Sequence, residues 1–376
     1  MAWWQYLILF AASCIVTILV VPLAKQLAKR LDAIDYPSER RVNKQPIPRL
    51  GGVAILSGII ASLILLLICS ECFGWRASFL PGLTRINYVG AILSVVVIFA
   101  TGFIDDVISL GPKAKLAGQI IAATIAAFSG ILLSTIHNPF GPGYIDFGWF
   151  AYPITIFYLV AFANIINLID GLDGLAAGIS GICAMAIFVI SVMTAQIDAA
   201  ILSILIAGAC FGFLRYNFNP ASIFMGDSGA LFLGFALGAV SLMATTRSAL
   251  FVSLLVPVIA AGIPVIDTFF AIVRRLRAHK PIDSADKGHI HHKLLQAGFS
   301  QRKTVLIMYL WTLVLATCSI AIAEASGATR IVAIVIAILL TIYMIWKLKL
   351  LDPVLVHHYN PREKKPKRDS SEQKDS

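Results

Sequence analysis

Long apolar runs, separated by short polar segments, recur along almost the whole chain. A membrane-spanning helix needs ~20 mostly apolar residues, because it crosses ~30 Å of hydrocarbon and must satisfy its backbone hydrogen bonds internally. The pattern therefore predicts an all-α, polytopic membrane protein with about eleven transmembrane helices. The predicted spans are 4–24, 51–70, 87–104, 117–136, 149–168, 174–194, 198–214, 228–246, 250–273, 305–324 and 330–347.

The composition agrees with this interpretation. Of the 376 residues, 59% are apolar and 13% are charged, whereas soluble domains have about 45–50% apolar and about 25% charged residues. We interpret residues 1–350 as a single integral membrane domain. Residues 351–376 are basic and lack apolar periodicity, which predicts a disordered tail. Cys69 and Cys72 leave a disulfide or a metal site open, although two ligands alone are a weak signal.

The positions of lysine and arginine predict the orientation. When loops are assigned alternately to the two sides, 26 of the 30 basic residues fall in one set, formed by 25–50, 105–116, 215–227, 274–304 and the segment from 347 onward. Basic loops are retained in the cytoplasm. The N-terminus is therefore predicted outside and the C-terminus in the cytoplasm. The net charge of +10 follows from this topology and suits anionic lipid headgroups, so nucleic acid is not expected as a partner.

Carboxylates, amides and histidines are costly next to apolar spans and usually functional there. In this chain they fall on the predicted cytoplasmic side, although the orientation was derived from lysine and arginine alone. The sequence therefore predicts one site at the inner membrane surface. These residues are Asp105, Asp106, Asn164, Asn167, Asp170, Asp173, Asn217, Asn219, Asp227, Asp267, His289, His291 and His292.

Asp105 and Asp106 form an adjacent acidic pair after the third run. One carboxylate can bind a divalent cation while the other meets a basic partner or a substrate proton. Lys113 and Lys115 are placed in the loop that follows and could bind phosphates as point charges. The simpler alternative is a solvated acidic turn.

Asn164, Asn167 and Asp170 are spaced three residues apart and predict one polar stripe on a helix. Amides can bind a sugar, a base or a phosphate, and Asp170 or Asp173 could bind magnesium. Hydrogen bonding between helices is the structural alternative. Asp227 precedes a span whose N-terminus presents free N–H groups to anions, although Asp227 could simply cap that helix.

His289, His291 and His292 follow a run of arginines and lysines. Their spacing differs from the i, i+4 pair of zinc proteases, so cationic or donor histidines facing a diphosphate fit better than a zinc site. A surface histidine loop is the alternative. The chain has no Walker A, dinucleotide-binding or nucleophile-elbow motif, and its polar inventory favours metal-assisted phosphoryl transfer. An ion-coupled transporter is the competing class.

Five motifs in this order resemble the polyprenyl-phosphate N-acetylhexosamine-1-phosphate transferases. They are Pro46-Ile-Pro-Arg49-Leu-Gly-Gly52, Gly102-Phe-Ile-Asp105-Asp106, Asn164-Ile-Ile-Asn167-Leu-Ile-Asp170-Gly-Leu-Asp173-Gly, Phe224-Met-Gly-Asp227-Ser-Gly and His289-Ile-His291-His292. The resemblance covers about 35–295. Asn43 departs from the family, whose members often have histidine there.

The resemblance implies roles for individual residues. Asp227 resembles the magnesium ligand, with Asp105 as a second candidate. Asp105 and Asp106 resemble an essential pair, one member of which is proposed to deprotonate or orient the lipid phosphate. Lys115 resembles the phosphate-binding lysine, and the histidine segment resembles the one near the diphosphate and sugar. The predicted catalytic set is Asp105, Asp106, Asp170, Asp173, His289, His291 and His292. The predicted substrate-binding set is Arg49, Lys113, Lys115, Asn164, Asn167, Asn217 and Asp267.

The sequence His-Ile-His-His followed by Lys-Leu resembles that of the GlcNAc-1-phosphate transferase branch of this family. The expected reaction is attack of undecaprenyl phosphate on UDP-GlcNAc with release of UMP, using Mg²⁺ or alternatively Mn²⁺, at a bacterial inner membrane. Other UDP-sugars, including UDP-MurNAc-pentapeptide, stay open, as does the choice between direct attack and an aspartyl intermediate. A homodimer is the assembly that we consider, although sequence does not give the oligomeric state.

Overall fold

A computed structural model describes residues 1–36, 45–75, 86–137, 144–244, 300–324 and 328–347. The described part is predominantly helical, as predicted, and its α-helices are numbered here in chain order. They are α1 Trp3–Arg30, α2 Gly51–Phe73, α3 Tyr88–Ile108, α4 Pro112–Phe128, α5 Ala151–Ile169, α6 Leu175–Met193, α7 Ile197–Asn217, α8 Gly226–Ala244, α9 Gln301–Glu324 and α10 Ala328–Lys347.

Eight stretches of the described chain are helical, long and apolar enough to cross a membrane. They match eight of the predicted runs and confirm an all-α, polytopic architecture. The run at 330–347 corresponds to α10, in which the apolar part is the shorter Ile331–Met344. The run at 250–273 and the tail at 351–376 lie outside the described residues, so the total of eleven spans stays a prediction.

The fourth predicted span, 117–136, differs from the structure. Its helix is α4, which begins at Pro112 and ends at Phe128. Proline at the first helical position needs no N–H partner, which explains the earlier start. The chain then reverses and forms a short antiparallel ladder between β3, Thr135–His137, and β4, Tyr144–Asp146. Seventeen residues rise only about 25 Å, so the apolar run overstated the length of this helix.

A second short ladder joins the segments that flank the first polar loop. It pairs β1, Ile34–Asp35, with β2, Ile47–Pro48, in antiparallel register. The loop is therefore closed at its base, and β2 leads directly into α2. This ladder brings Arg49 close to the first turn of α8, because Phe224 donates its backbone N–H to the carbonyl of Pro48.

Helix α8 lies at the centre of the bundle. Nearly all of its side chains are buried, and it packs against α2, α3, α5, α6 and α7. Glycine, alanine and serine are frequent in α8, and such small residues let helix backbones approach closely inside a membrane. The residue at the start of this helix, Asp227, is consequently held by the surrounding helices.

Candidate active site

The predicted polar residues that the structure describes lie at one end of the helix bundle. Consecutive helices alternate in direction, so the end of α3, the start of α4, the end of α5 and the start of α8 lie together. Contacts between side chains that are distant in sequence show this directly, because Lys115 and Asn167 both reach Asp227. These contacts bring Asp105, Lys115, Asn167 and Asp227 together, whereas one functional site formed by all the listed residues stays a prediction. The side of the membrane on which it lies stays a prediction.

Asp227 is the central acidic group of this cluster. Its Oδ2 accepts a hydrogen bond from the Lys115 ammonium at 2.7 Å, and its Oδ1 accepts one from the amide of Asn167. Lys115 also forms an ion pair with Asp105 Oδ2 at 3.1 Å. One ammonium thus lies between two carboxylates that would otherwise repel each other. The side chains of Lys115 and Asp105 are mostly buried, so solvent screens this interaction only in part.

Lys113 and Lys115 do not belong to a loop, as the sequence predicted, but to the first turn of α4. Lys113 is exposed, whereas Lys115 points back toward the end of α3. The two lysines, which were predicted together, therefore differ in position. Lys115 is the one that joins the acidic cluster, and a phosphate-binding role for Lys113 stays a prediction.

Asp106 has a different position from its neighbour Asp105. Its carboxylate accepts backbone hydrogen bonds from Asp227 at 2.8 Å and from Ser228 at 2.9 Å. These two N–H groups belong to the first turn of α8 and have no partner within that helix. The N-terminus of α8, which the sequence suggested as an anion site, is thus already bound to an anion of the protein itself. Asp106 is a helix cap supplied from α3.

Arg49 supports the same junction from the other side. Its guanidinium donates two hydrogen bonds to the backbone carbonyl of Asp106, at 3.1 Å from Nε and 2.8 Å from Nη2. Gly226 precedes Asp227 with a φ of +74°, a conformation that favours glycine. A Cβ at Gly226 would also collide with the carbonyl of Arg49 and with the Asp106 carboxylate.

Two further glycines bring neighbouring helices against the first turn of α8. A Cβ at Gly102 on α3 would lie 2.6 Å from Ser228 Cα and 2.7 Å from the carbonyl carbon of Asp227. A Cβ at Gly52 on α2 would collide with the backbone of Gly229. The obstacles are backbone atoms, which move less readily than side chains. The glycines of the two motifs at 49–52 and 102–106 therefore permit the close approach that places Asp227.

The predicted polar stripe of α5 contacts two different helices. Asn164 forms a reciprocal amide pair with Gln119 on α4, at 2.6 Å and 3.4 Å, while Asn167 reaches Asp227 on α8. Asp170 lies one residue beyond the end of α5 and is not on the stripe. The pairing of Asn164 is the interhelical hydrogen bonding that the sequence left open. Its predicted contact with substrate stays a prediction.

Asp170 and Asp173 lie in the turn between α5 and α6. Burial raises the pKa of Asp170 well above its usual range, and the negative charges of Asp227, Asp106 and Asp173 raise it further. The shift favours the neutral acid, which can donate a hydrogen bond, whereas a carboxylate only accepts. Asp173 instead accepts hydrogen bonds at Oδ2 from Asn219 and from the backbone of Ala221.

Asn217 is buried and binds backbone groups on both sides. Its Oδ1 accepts a hydrogen bond from the N–H of Gly174 at 3.0 Å, and its Nδ2 donates one to the carbonyl of Ile223 at 2.9 Å. It therefore fixes the turn before α6 to the segment before α8. The substrate-binding role of Asn217 stays a prediction. Asp267, His289, His291 and His292 lie outside the described residues.

Comparison with known proteins identifies the family. The family model described as glycosyl transferase family 4 matches residues 88–245. A Bacillus subtilis protein named "Probable undecaprenyl-phosphate N-acetylglucosaminyl 1-phosphate transferase" is 36% identical over 340 residues, which cover 90% of each chain. This chain belongs to glycosyl transferase family 4.

Two other relatives with different printed names are also similar to this chain. A decaprenyl-phosphate N-acetylglucosaminephosphotransferase of Mycolicibacterium smegmatis is 39% identical over 360 residues, covering 88% of this chain and 86% of the relative. A phospho-N-acetylmuramoyl-pentapeptide-transferase of Halalkalibacterium halodurans is 30% identical over 327 residues, covering 83% and 94%. The resemblance stated from the motifs is confirmed.

A divalent cation is compatible with the donor set of this family 4 chain. Mg²⁺ prefers oxygen ligands, and it is commonly held by one or two protein carboxylates together with substrate phosphates. Asp105 and Asp227 approach a common point closely enough to share one ammonium. Among the described residues no group of three acidic, histidine or cysteine side chains could hold a metal by itself. The two carboxylates therefore fit a cation whose coordination is completed by substrate phosphates.

The structure also brings in residues that the sequence did not single out. Gln119 is the amide partner of Asn164, and it could have been found as a single amide in an apolar helix. Gln301 of α9 accepts a hydrogen bond from the amide of Asn219, and Tyr309 of the same helix donates one to the carbonyl of Gly174. No local motif surrounds these two residues, so they could not be recognised from the sequence.

Proposed function

We propose that this protein transfers GlcNAc-1-phosphate from UDP-GlcNAc to undecaprenyl phosphate and releases UMP. The observation that carries the proposal is the cluster of Asp105, Lys115, Asn167 and Asp227 at one end of the buried helix α8. It occurs in a chain 36% identical, over 90% of its length, to a relative named for this transfer. The transporter hypothesis explains neither the family membership nor the clustering at one end of the bundle.

In the proposed reaction, a phosphate oxygen of the lipid attacks the β-phosphorus of the UDP-sugar. The bond between this phosphorus and the oxygen bridging to the α-phosphate breaks, and UMP leaves with that oxygen. Phosphoryl transfer depends mainly on positioning and on neutralising charge. Bound at Asp105 and Asp227, Mg²⁺ would supply charge neutralisation on the diphosphate.

The residues of the chain have distinct parts in this proposal. Lys115 presents an ammonium beside the transferred phosphate and keeps the carboxylates of Asp105 and Asp227 together. Asn167 fixes the orientation of the Asp227 carboxylate, and Asp106 holds the backbone of the same residue. Asp170 and Asp173 border the site on the α6 side. These assignments are consistent with preorganised electrostatic stabilisation, in which groups are fixed before the charge develops.

UDP-GlcNAc is the preferred donor in this proposal because the N-acetylglucosamine-1-phosphate relatives are 36% and 39% identical. The muramoyl-pentapeptide relative, at 30%, represents the alternative donor. We further propose that the protein lies in a bacterial inner membrane and that its site faces the cytoplasm, where UDP-sugars are made. We also propose that the protein forms a homodimer. Accessibility labelling of single cysteines and the mass of the solubilised protein test these two points separately.

The experiment is a donor panel with purified protein, undecaprenyl phosphate and Mg²⁺. We expect UMP release and a GlcNAc-diphospho-lipid with UDP-GlcNAc, and little product with UDP-GalNAc or UDP-MurNAc-pentapeptide. Asp227→Asn is the matched inactive control, and we expect a loss of about 10²–10³-fold in rate, as for removal of one group that stabilises transition-state charge. If no UDP-HexNAc yields UMP, the proposed activity is wrong.

A further inference from the structure

The turn that carries Asp170 and Asp173 is held by residues outside the proposed chemistry. Asp173 Oδ2 accepts a hydrogen bond from the amide of Asn219 at 2.8 Å and another from the backbone N–H of Ala221 at 3.0 Å. Both donors lie in the segment between α7 and α8. One oxygen of the carboxylate therefore has two fixed donors, which restricts the rotation of the Asp173 side chain.

The orientation of the Asn219 amide is itself fixed. Its Nδ2 donates one hydrogen bond to Asp173 and a second, at 2.8 Å, to Oε1 of Gln301. The two hydrogens of one amide group can satisfy both acceptors. The backbone carbonyl of Asn219 accepts a hydrogen bond from Arg302 Nε at 2.9 Å. Side chain and backbone of Asn219 are thus both attached to the start of α9.

Helix α9 provides a rigid support for this connection. Gln301 is its first residue, and the helix packs along α6. Two turns further on, the hydroxyl of Tyr309 donates a hydrogen bond to the carbonyl of Gly174 at 2.5 Å. The turn is therefore attached to α9 at two points, once through Asn219 and once directly. Groups held by regular helices are positioned more accurately than groups held by loops.

We propose that Asn219 and Gln301 are positioning residues that set the orientation of the Asp173 carboxylate for the UDP-sugar donor. Gln301 acts through Asn219, and neither residue takes part in bond making or breaking. The inference rests on the proposed function, since it concerns the donor of that reaction. It predicts that loss of the Gln301 acceptor releases the amide of Asn219, so that Asp173 samples more orientations and the donor binds less tightly.

The test compares two substitutions at one position. Gln301→Met keeps the length of the side chain and removes the acceptor, whereas Gln301→Glu retains an acceptor oxygen for Asn219. With Gln301→Met we expect KM for UDP-GlcNAc to rise about 3–10-fold while kcat changes less than about twofold, which is the pattern for lost binding rather than lost chemistry. Gln301→Glu is expected to stay within about twofold of the wild type.

Lys303→Met is the matched control, because Lys303 is exposed and lies two residues further along the same helix. It should leave both constants unchanged. Direct titration with UMP or UDP-GlcNAc checks that the KM change reflects binding. Asn219→Asp is a second variant, which places a carboxylate where Asp173 has a donor, and it should weaken UDP-GlcNAc binding more than Gln301→Met does.

Several results would overturn the inference. They are a wild-type KM for Gln301→Met, an unchanged affinity for Asn219→Asp, or equal losses in the Met and Glu variants together with equally lowered thermal stability. The last result would mean that Gln301 serves folding alone. If the wild-type protein releases UMP and the variants give any of these results, only the positioning role is refuted. A wild-type protein that releases no UMP refutes the proposed function, and the inference with it.

Discussion

The carboxylate of Asp106 accepts hydrogen bonds from two backbone N–H groups at the start of α8, so Asp106→Asn tests whether it acts as a cap. Asparagine has one acceptor oxygen, and its NH₂ group would face the second N–H. The substitution thus leaves one N–H unpaired and removes a negative charge from a helix N-terminus. Hydrogen bonds to charged groups contribute about 1.5–3 kcal/mol, and a charge at a helix end contributes about 0.3–1 kcal/mol, rising to about 2 kcal/mol where it is partly buried. Because these effects overlap, we expect a loss of about 2–4 kcal/mol.

The assay is thermal unfolding of the protein in detergent or nanodiscs, measured together with UMP release. For a chain of 376 residues, 1 kcal/mol corresponds to roughly 1.3 °C, so Asp106→Asn should unfold about 3–5 °C below the wild type. Turnover should fall as well, because the same N–H groups fix the backbone of Asp227. Asp146→Asn is the control, since Asp146 is exposed and its Oδ1 accepts one backbone hydrogen bond, from Gly148 at 2.8 Å. It should change Tm by no more than about 1 °C.

The result that would refute this reasoning is an Asp106→Asn variant that unfolds at the wild-type temperature. If that variant were also inactive, Asp106 would act on the reacting groups, as the family resemblance allows, and the cap would be incidental. Loss of stability and turnover together, with both recovered in part by Asp106→Glu, would support the cap. The comparison therefore separates two roles that the adjacent aspartates could share.

Three other substitutions test separate contacts of the site. Lys115→Met leaves two carboxylates without their shared ammonium; Mg²⁺ should raise the Tm of this variant more than that of the wild type, and equal shifts would contradict the charge-sharing arrangement. Gly102→Ala places a Cβ against the backbone of Asp227, and overpacking of this kind costs about 1–3 kcal/mol; wild-type Tm and turnover would show that α3 can move away freely. Tyr309→Phe removes only the hydroxyl that binds the carbonyl of Gly174. We expect the free energy of unfolding to fall by about 1 kcal/mol, with a correspondingly small decrease in Tm, and unchanged stability would contradict that contact.

The general architecture could be predicted because an apolar run of ~20 residues by itself predicts a membrane-spanning helix. Eight predicted runs coincide with helices long enough to span a membrane. The clustering of acids and amides could also be predicted, since the ends of alternating helices that share one side must lie near one another. The predicted bounds of the fourth span were wrong because apolar composition does not distinguish a continuing helix from one that ends at Phe128 and is followed by a strand.

The partners within the site could not be predicted in the same way. Whether Asp105 or Asp106 meets Lys115 depends on the rotation of α3 about its axis and on where α4 begins, and neither is encoded in the spacing of the aspartates. The start of α4 at Pro112 places Lys115 on a helix and turns it toward Asp227. Gln301 contacts Asn219 from a helix 82 residues away in sequence, so only the packing of α9 on α6 reveals the contact.

The charge balance of the described site bears on how an anionic donor could bind there. Around Lys115 the carboxyl groups outnumber the cations, because Asp105 and Asp227 share its one ammonium, and Arg49 is directed at a backbone carbonyl. A diphosphate entering this environment would be repelled unless further positive charge accompanied it. The two carboxylates that share Lys115 are suited to a divalent cation, and a nucleotide diphosphate commonly brings Mg²⁺ with it. The negative charge of the site is therefore an argument for metal-assisted transfer, since the same carboxylates that repel a bare diphosphate would attract its magnesium complex.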